Sequence, residues 1–307
     1  MANPAQKWIS GSRPRTTTAA LAFTVVFLLM VVVPPSPQAQ NFTLLHSFAG
    51  NGGAGNSPRA GLVQDAAGNL YGTTAWGGGF RNGTVFKLDT AGKSTVLHTF
   101  SGGSADGALP EAGLVRDKAG NLYGTTYSGG KPDCGMYYAC GVVFKLDAAG
   151  KETVLHSFAD SPDGANPSAG LTEDAAGNFY GTTTNGGALG TGTIYEINAT
   201  GTESVLYSFA AGSDGAHPVA ALVRDAAGNL YGTTEYGGTA NDGTVFKLDT
   251  AGKETVLYNF CSQSDCTDGA NPVAGLIRDA AGNLYGTTPN GGTYNLGTAF
   301  KLVPPTP

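Results

Sequence analysis

From residue 42 onward the chain is written in short runs rich in Val, Thr, Leu, Tyr and Phe, each closed by a corner that carries Gly. Such runs suit a pleated surface. Ala112–Asp117, Asn121–Thr126, Gly243–Leu248 and Thr255–Phe260 typify four strand types that succeed one another. The first and second types are joined by corners such as Lys118-Ala119-Gly120-Asn121, and the third and fourth by corners such as Thr250-Ala251-Gly252-Lys253. Gly at those corners supplies the positive φ of a tight hairpin. No stretch of twelve residues after residue 40 carries a helical apolar stripe, which argues against a doubly wound α/β enzyme.

The four-strand unit is repeated. Its Asn-Leu/Phe-Tyr-Gly-Thr-Thr segment begins at Asn69, Asn121, Asn178, Asn229 and Asn283. The third strand begins at Gly83, Gly141, Gly192, Gly243 and Gly297, and the fourth ends at Phe48, Phe100, Phe158, Phe209 and Phe260. A proline precedes each first strand, at Pro58, Pro110, Pro167, Pro218 and Pro272. Four antiparallel strands recurring about every 51 residues predict a β-propeller. A linear β-solenoid would use shorter rungs and atypical caps. The chain opens on a fourth-type strand, Phe42–Phe48, and closes on a third-type strand, Gly297–Leu302. The expected architecture is therefore all-β: a five-bladed propeller with four antiparallel strands per blade, closed by the N-terminal strand completing the last blade. Ring closure would remove two exposed sheet edges.

The Gly-Asn-Leu-Tyr-Gly-Thr-Thr and Gly-Thr-Val-Phe-Lys-Leu segments resemble the bacterial tandem-repeat family called GloVer, over residues 42–302. That resemblance implies a secreted β-propeller. The Arg-Asp-Ala-Ala-Gly-Asn-Leu-Tyr hairpin is also similar to the NHL propeller repeat. Kelch repeats are a weaker likeness, and no Trp-Asp pair supports WD40.

Residues 1–40 read differently. Lys7, Arg13 and Arg15 precede fifteen residues, Ala19 to Val33, of which Thr24 is the only polar one. Pro34 and Pro35 come next, then a small residue, Ala39, at a plausible cleavage point. This is the layout of a secretory signal peptide. Fifteen apolar residues span about 22 Å as helix, short of the ~30 Å hydrocarbon core. The expected organisation is thus signal peptide 1–40, one propeller 41–303 and a Pro-rich tail 304–307. The expected location is outside the cytoplasm: secreted, periplasmic or cell-surface. Cleavage would leave fourteen basic against twenty-three acidic residues, a balance unsuited to nucleic acid or anionic lipid. The remaining composition agrees with a folded β protein. The 48 glycines show no collagen period, and 41% apolar residues suffice for a core although only 13% are charged.

Candidate chemistry is sparse. His46, His98 and His156 share one repeat position with Tyr207 and Tyr258, which reads as a packing or hydrogen-bonding slot and not a metal ligand. His217 precedes Pro218 where Asn166 and Asn271 stand elsewhere. Asp65, Asp117, Asp174, Asp225 and Asp279 recur at the first hairpin as expected Asx-turn formers. Asp106, Asp163, Asp214 and Asp268 each stand before a Gly and four residues ahead of the unit proline, as turn formers or ligand-binding candidates; the first unit has Ala54-Gly55 instead. Acids that break the repeat symmetry are Glu111, Asp133, Asp160, Glu173, Glu235 and Asp265, and nothing in the sequence elevates a pair among them to glycosidase carboxylates. No nucleophile-elbow, Walker, His-Glu-x-x-His or Cys-x-x-Cys motif occurs, so no catalytic residue and no cofactor are assigned.

Two features distinguish the loops after strands two and four. Cys134 with Cys140, and Cys261 with Cys266, fall in the longest intervals, as expected of local disulfides in an oxidising compartment. Most symmetry-breaking aromatics also lie there, including Trp76, Tyr127 and Tyr236 as stacking candidates. The expectation is a monomeric, non-catalytic binding or interaction module whose loop-rich face takes a glycan or an extracellular protein. It has no nucleic-acid partner and no membrane association after cleavage. A carbohydrate-active hydrolase or a structural envelope component is the alternative.

Overall fold

A computed structural model describes residues 41–49, 53–132 and 139–304. The expected signal peptide, Asp133, Cys134 and the extreme C-terminal residues lie outside the described residues. The chain divides into two compact units, Met1–Thr43 and Leu44–Pro307; of the first only Asn41–Thr43 are described. Every strand among the described residues belongs to the second unit. No helix among the described residues is long and apolar enough to cross a membrane.

The second unit is all-β, with one short 3-10 turn at Ser264–Cys266. Its first sheet runs in chain order through β1 (Val63–Gln64), β2 (Leu70–Thr74), β3 (Thr84–Leu88) and β4 (Ser94–Thr99). A two-residue strand, β5 (Gly107–Ala108), then leads into the second sheet: β6 (Val115–Arg116), β7 (Leu122–Thr126), β9 (Val142–Leu146) and β10 (Glu152–Ser157). β5 pairs with β8 (Ser128–Gly129). The third sheet is β11 (Thr172–Glu173), β12 (Phe179–Thr183), β13 (Thr193–Ile197) and β14 (Glu203–Ser208). The fourth is β15 (Val223–Arg224), β16 (Leu230–Thr234), β17 (Thr244–Leu248) and β18 (Glu254–Asn259). The last has three strands, β19 (Ile277–Arg278), β20 (Leu284–Thr288) and β21 (Thr298–Leu302). Every strand ladder is antiparallel. The architecture is propeller-like.

The strands hold together for reasons visible in the repeat. The second Thr of each Asn-Leu/Phe-Tyr-Gly-Thr-Thr segment is buried, and in four of the five units its hydroxyl meets a third-strand Thr, as Thr74 meets Thr84 at 2.8 Å and Thr234 meets Thr244 at 2.9 Å; in the second unit, where Val142 stands, Thr126 donates to the Ser128 carbonyl at 2.7 Å. A buried hydroxyl without such a partner would be costly. The first Thr donates instead to the following unit, as Thr73 does to the carbonyl of Ala112 and Thr125 to that of Ala169. Gly in the same strand makes room for the third-strand ring. A Cβ on Gly232 would lie 2.6 Å from Phe246.

The fourth strands carry a bulge that skips one residue, as where Val85 pairs with His98 but Phe86 with Val96. The skipped leucines pack forward into the next sheet: Leu97 joins Phe144 and Leu146, and Leu206 joins Phe246 and Leu248. The closing Phe does likewise. Phe100 meets Phe144 edge-on at 5.1 Å, Phe158 meets Tyr195 at 5.0 Å, Phe209 meets Phe246 at 5.2 Å and Phe260 meets Phe300 at 5.1 Å. The core is thus a relay from sheet to sheet and not one central cluster.

The N-terminal segment departs from expectation. Residues 41–49 form no strand, and β21 has no partner on its outer side among the described residues. Phe48 nevertheless meets Phe86 edge-on at 5.0 Å, and His46 stands on Phe48 as His98 stands on Phe100. His46 and Phe48 thus stand toward the first sheet as His98 and Phe100 stand toward the second.

Candidate functional site

The two ends of the sheets differ in kind. At the end that carries the hairpins, the corner Asp binds its own loop. Asp65 accepts from the Ala67 and Asn69 amides at 2.9 Å, from Asn69 Nδ2 at 2.8 Å and from the Tyr71 hydroxyl at 2.9 Å. The same arrangement recurs at Asp225 with Asn229 and Tyr231. These carboxylates are saturated, so this end is scaffold. The hydrogen bond from the Asn69 side chain holds Asp65 at about 2, and that from Asn283 does the same for Asp279.

The opposite end carries the loops after strands two and four. Trp76 and Tyr236 occupy matching positions: Trp76 bridges Asn56 and Tyr236 bridges Ala216. Both are exposed, at 43% and 40%. Tyr127 sits one residue earlier in the pattern, since its neighbour Ser128 takes the bridging position against Ala108. Successive side chains alternate between faces, so Tyr127 shares its place with Glu235 and not with the other two rings. Beside them, the residue preceding each unit proline adopts positive φ where it is Ser57, Leu109, Asn166, His217 or Asn271, from 53° at His217 to 58° at Ser57, Leu109 and Asn166. Asn tolerates that region well. Its side chain then reaches the preceding unit: Asn166 Nδ2 donates to the Tyr127 carbonyl at 2.9 Å and Asn271 Nδ2 to the Glu235 carbonyl at 3.2 Å. His217 Nδ1 does the same to the Thr184 carbonyl at 2.9 Å, and its ring stands edge-on to Tyr236 at 5.9 Å.

Of the symmetry-breaking acids, Asp160, Glu235 and Asp265 lie in loops of this end, and Glu111 follows a unit proline there. Glu111 forms an ion pair with Arg59. Glu235 accepts from Tyr236, which raises that phenol above its ordinary value, helped by the Glu235 charge. Tyr294, 85% exposed, and Phe80, 63% exposed, add apolar surface to the same set of loops.

The four Asp-Gly residues lie in the loops that follow the outer strands, and their carboxylates bond back toward those strands. Asp106 accepts from the Ser101 amide at 2.6 Å and from its hydroxyl at 2.9 Å, and contacts His98 Nε2 at 3.3 Å. Asp163 contacts His156, Asp214 accepts from Tyr207 at 2.9 Å and Asp268 from Tyr258 at 2.7 Å. No hydrogen bond joins two of these four among the described residues. Metal-capable groupings among the described residues are His156 with Asp163 and Glu203, and Asp242 with Cys261 and Cys266. Cys261 and Cys266 are joined to each other, so their sulfurs are not thiolates. Cys140 is buried and disulfide-bonded, and its expected partner Cys134 lies outside the described residues.

Sequence reasoning misses one set of groups, the Glu that opens the fourth strand. Glu152, Glu203 and Glu254 each have a buried oxygen without a hydrogen-bond partner. Burial, with the neighbouring Asp106, Asp163 or Asp214 charge, pushes them up to about 7, 6 and 7. An acid raised on folding holds its proton more tightly folded, so its stabilisation is complete below the unfolded value of 4.5 and fades as pH rises through 6 to 7. Asp65 and Asp279 act in the opposite sense, stabilising above 3.8 and losing that effect as pH falls toward 2. The melting temperature should therefore peak between about pH 4 and 6 and fall by roughly 5 °C toward pH 8. In Glu152→Gln/Glu254→Gln the alkaline limb should flatten. A wild-type melting temperature constant from pH 5 to 8 would contradict the assignment.

These features define an all-β, propeller-like repeat protein with a regular scaffold end and a variable, aromatic-bearing loop end. The Gloeobacter/Verrucomicrobia repeat matches residues 31–224 and 134–307, and the chain belongs to that family. No curated protein is similar enough to count as a relative. Among solved structures, the extracellular domain of a candidate one component system from B. thetaiotaomicron superposes with a TM-score of 0.51 at 10% identity. That match covers 81% of this chain and 28% of the other, so the chain spans little more than a quarter of that neighbour. A candidate 6-phosphogluconolactonase from Bacteroides uniformis gives 0.45 at 16% identity, covering 81% and 72%. An endo-arabinanase from Bacillus licheniformis gives 0.37 at 11%, covering 81% and 94%. At these identities the first likeness speaks for the fold alone, and the other two carry no argument.

Proposed function

We propose that this protein is an exported, non-catalytic five-bladed propeller that binds a glycan on its loop end. The observation that carries the reading is the division of the sheet ends. Hairpin carboxylates are consumed by their own turns, whereas Trp76 and Tyr236 stand exposed at matching positions beside hydrogen-bonding groups of Asn56 and His217. Flat rings flanked by polar groups suit the apolar faces of sugars, and loops on a rigid frame carry recognition. Export is supported by the Cys261–Cys266 disulfide, since such bonds persist in oxidising compartments. Five blades with closure by the N-terminal segment are supported by the placement of Phe48 on Phe86 and by the three-stranded last sheet, whose outer strand is β21. Transferring the register of β3 with β4 to that edge sets Ser47 opposite Thr298, His46 opposite Ala299 and Leu44 opposite Phe300.

A glycan array run beside a hydrolase screen tests the binding reading. Trp76→Ala/Tyr236→Ala should weaken capture of the selected glycan about 30-fold or more with the melting transition unchanged, because two stacking rings at an interface centre contribute at least about 1 kcal/mol each. Tyr127→Ala should have a smaller effect. Normal binding by the double variant would place the ligand elsewhere, capture of an extracellular protein but no glycan would replace the ligand class, and turnover of any polysaccharide would overturn the non-catalytic reading.

A further inference from the structure

Between the outer strands of the second and third sheets, one ring nitrogen and two carboxylate oxygens converge. His156, on β10, Asp163, in the loop after it, and Glu203, at the start of β14, place one ligand atom each within 4.8 Å of the others. His156 Nε2 lies 3.1 and 3.0 Å from the two Asp163 oxygens. Glu203 Oε1 is buried and has no hydrogen-bond partner. Two carboxylates that close repel each other unless a proton or a cation stands between them. The imidazole meets only one of the pair.

The repeat supplies internal comparisons. Between the first and second sheets His98 touches Asp106 at 3.3 Å, but His98, Asp106 and Glu152 do not close into such a grouping. Between the third and fourth sheets the ring is Tyr207, whose hydroxyl donates a hydrogen bond to Asp214 at 2.9 Å and which brings no imidazole. The second-to-third junction is therefore the place where the slot holds an imidazole and both acids come within ligating reach.

We propose that His156, Asp163 and Glu203 form a binding site for a divalent transition-metal cation of the Zn²⁺ class, stapling the second sheet to the third. An imidazole with two carboxylates fits such a cation, whereas Ca²⁺ and Mg²⁺ prefer oxygen alone. Three protein donors leave at least one coordination position for water. On loading, the ring proton resides on Nδ1 so that the Nε2 lone pair faces the cation, and any proton held by Glu203 leaves to solvent.

The test uses the untagged, oxidised, full-length protein after dialysis against chelator and then against metal-free buffer. Calorimetric titration with Zn²⁺ at pH 7.5 should give one equivalent with Kd at or below about 10 µM and a raised melting temperature, since a ligand of the folded state stabilises it. Ca²⁺ should give no signal. His156→Tyr installs the residue that the chain itself uses at Tyr207 and Tyr258, so the fold should persist while Zn²⁺ affinity falls at least 30-fold. Glu203→Gln, which keeps the shape, should lose at least tenfold, and His98→Tyr should bind as the wild type does. Absence of saturable Zn²⁺ binding, or undiminished affinity in His156→Tyr and Glu203→Gln, would overturn the proposal.

Discussion

Removing residues 44–48 is expected to abolish the single cooperative unfolding transition and to leave a protein that aggregates on storage. Phe48 covers Phe86 edge-on at 5.0 Å, as Phe100 covers Phe144, so its loss uncovers the first sheet. On the proposed closure the same residues also fill the edge of β21, which otherwise offers a row of unpaired backbone groups to other chains. The groove beside that edge, lined by Val245, Tyr258, Phe260 and Phe300 and about 250 Å³ in volume, would stay open. Thermal unfolding by circular dichroism and light scattering on storage are the readouts. Should the shortened protein melt as the full chain does without aggregating, neither the packing role nor the closure would stand. A lowered but still cooperative transition without aggregation would retain the packing role and remove the closure.

Phe209→Ala should cost about 3–5 kcal/mol, the usual range for deleting a buried phenyl ring. The side chain is fully buried and lies between Tyr207 at 5.1 Å and Phe246 at 5.2 Å, in the cluster that contains Ile194, Leu222 and Leu230. The cavity would open at the joint between the third and fourth sheets, where neighbouring strands are pinned by their own ladders and cannot collapse inward. Urea unfolding should show the loss in the midpoint, with a fall in melting temperature of roughly 10 °C. Phe80→Ala, at an exposed ring, is the control and should stay within about 0.5 kcal/mol of wild type. A Phe209 variant that loses less than about 1 kcal/mol would mean that the relay of rings does not carry the core.

The strands most fully legible in the sequence are those whose two faces are both specified. The repeat predicts Asn121–Thr126, and β7 spans Leu122–Thr126; it predicts Gly243–Leu248, and β17 spans Thr244–Leu248. The first strand is shorter than its pattern. Ala112–Asp117 shrinks to Val115–Arg116, and at its near end the Ala112 carbonyl accepts the hydroxyl of Thr73 from the preceding unit. The bulge at Leu97 is not legible in the run, because Val96 and Leu97 are both apolar and the sequence alone does not say which of them drops out of the ladder. The Asp-Gly corners read as turns or ligand positions, but their partners, the outer-strand rings of His98, His156, Tyr207 and Tyr258, lie seven to ten residues away and meet them only after the loop folds back. Glu203 is hidden for a related reason. At a strand start it reads as a solvated edge charge, and only the approach of the neighbouring sheet buries it beside Asp163.

The repeat unit, its four strand types, the hairpin chemistry of Asp65 and its counterparts, and the segregation of variable aromatics into one set of loops are all written in the order of the amino acids. These are local properties, set by side-chain alternation and turn geometry within a few residues. Sheet-on-sheet packing settles the rest: which Thr hydroxyl crosses to the next unit, where Leu97 and Phe100 point, that Tyr127 falls out of step with Trp76 and Tyr236, and that the junction of the second and third sheets gathers an imidazole and two carboxylates. Contacts between residues some fifty positions apart are fixed by how one sheet docks on another, and no local pattern encodes that docking.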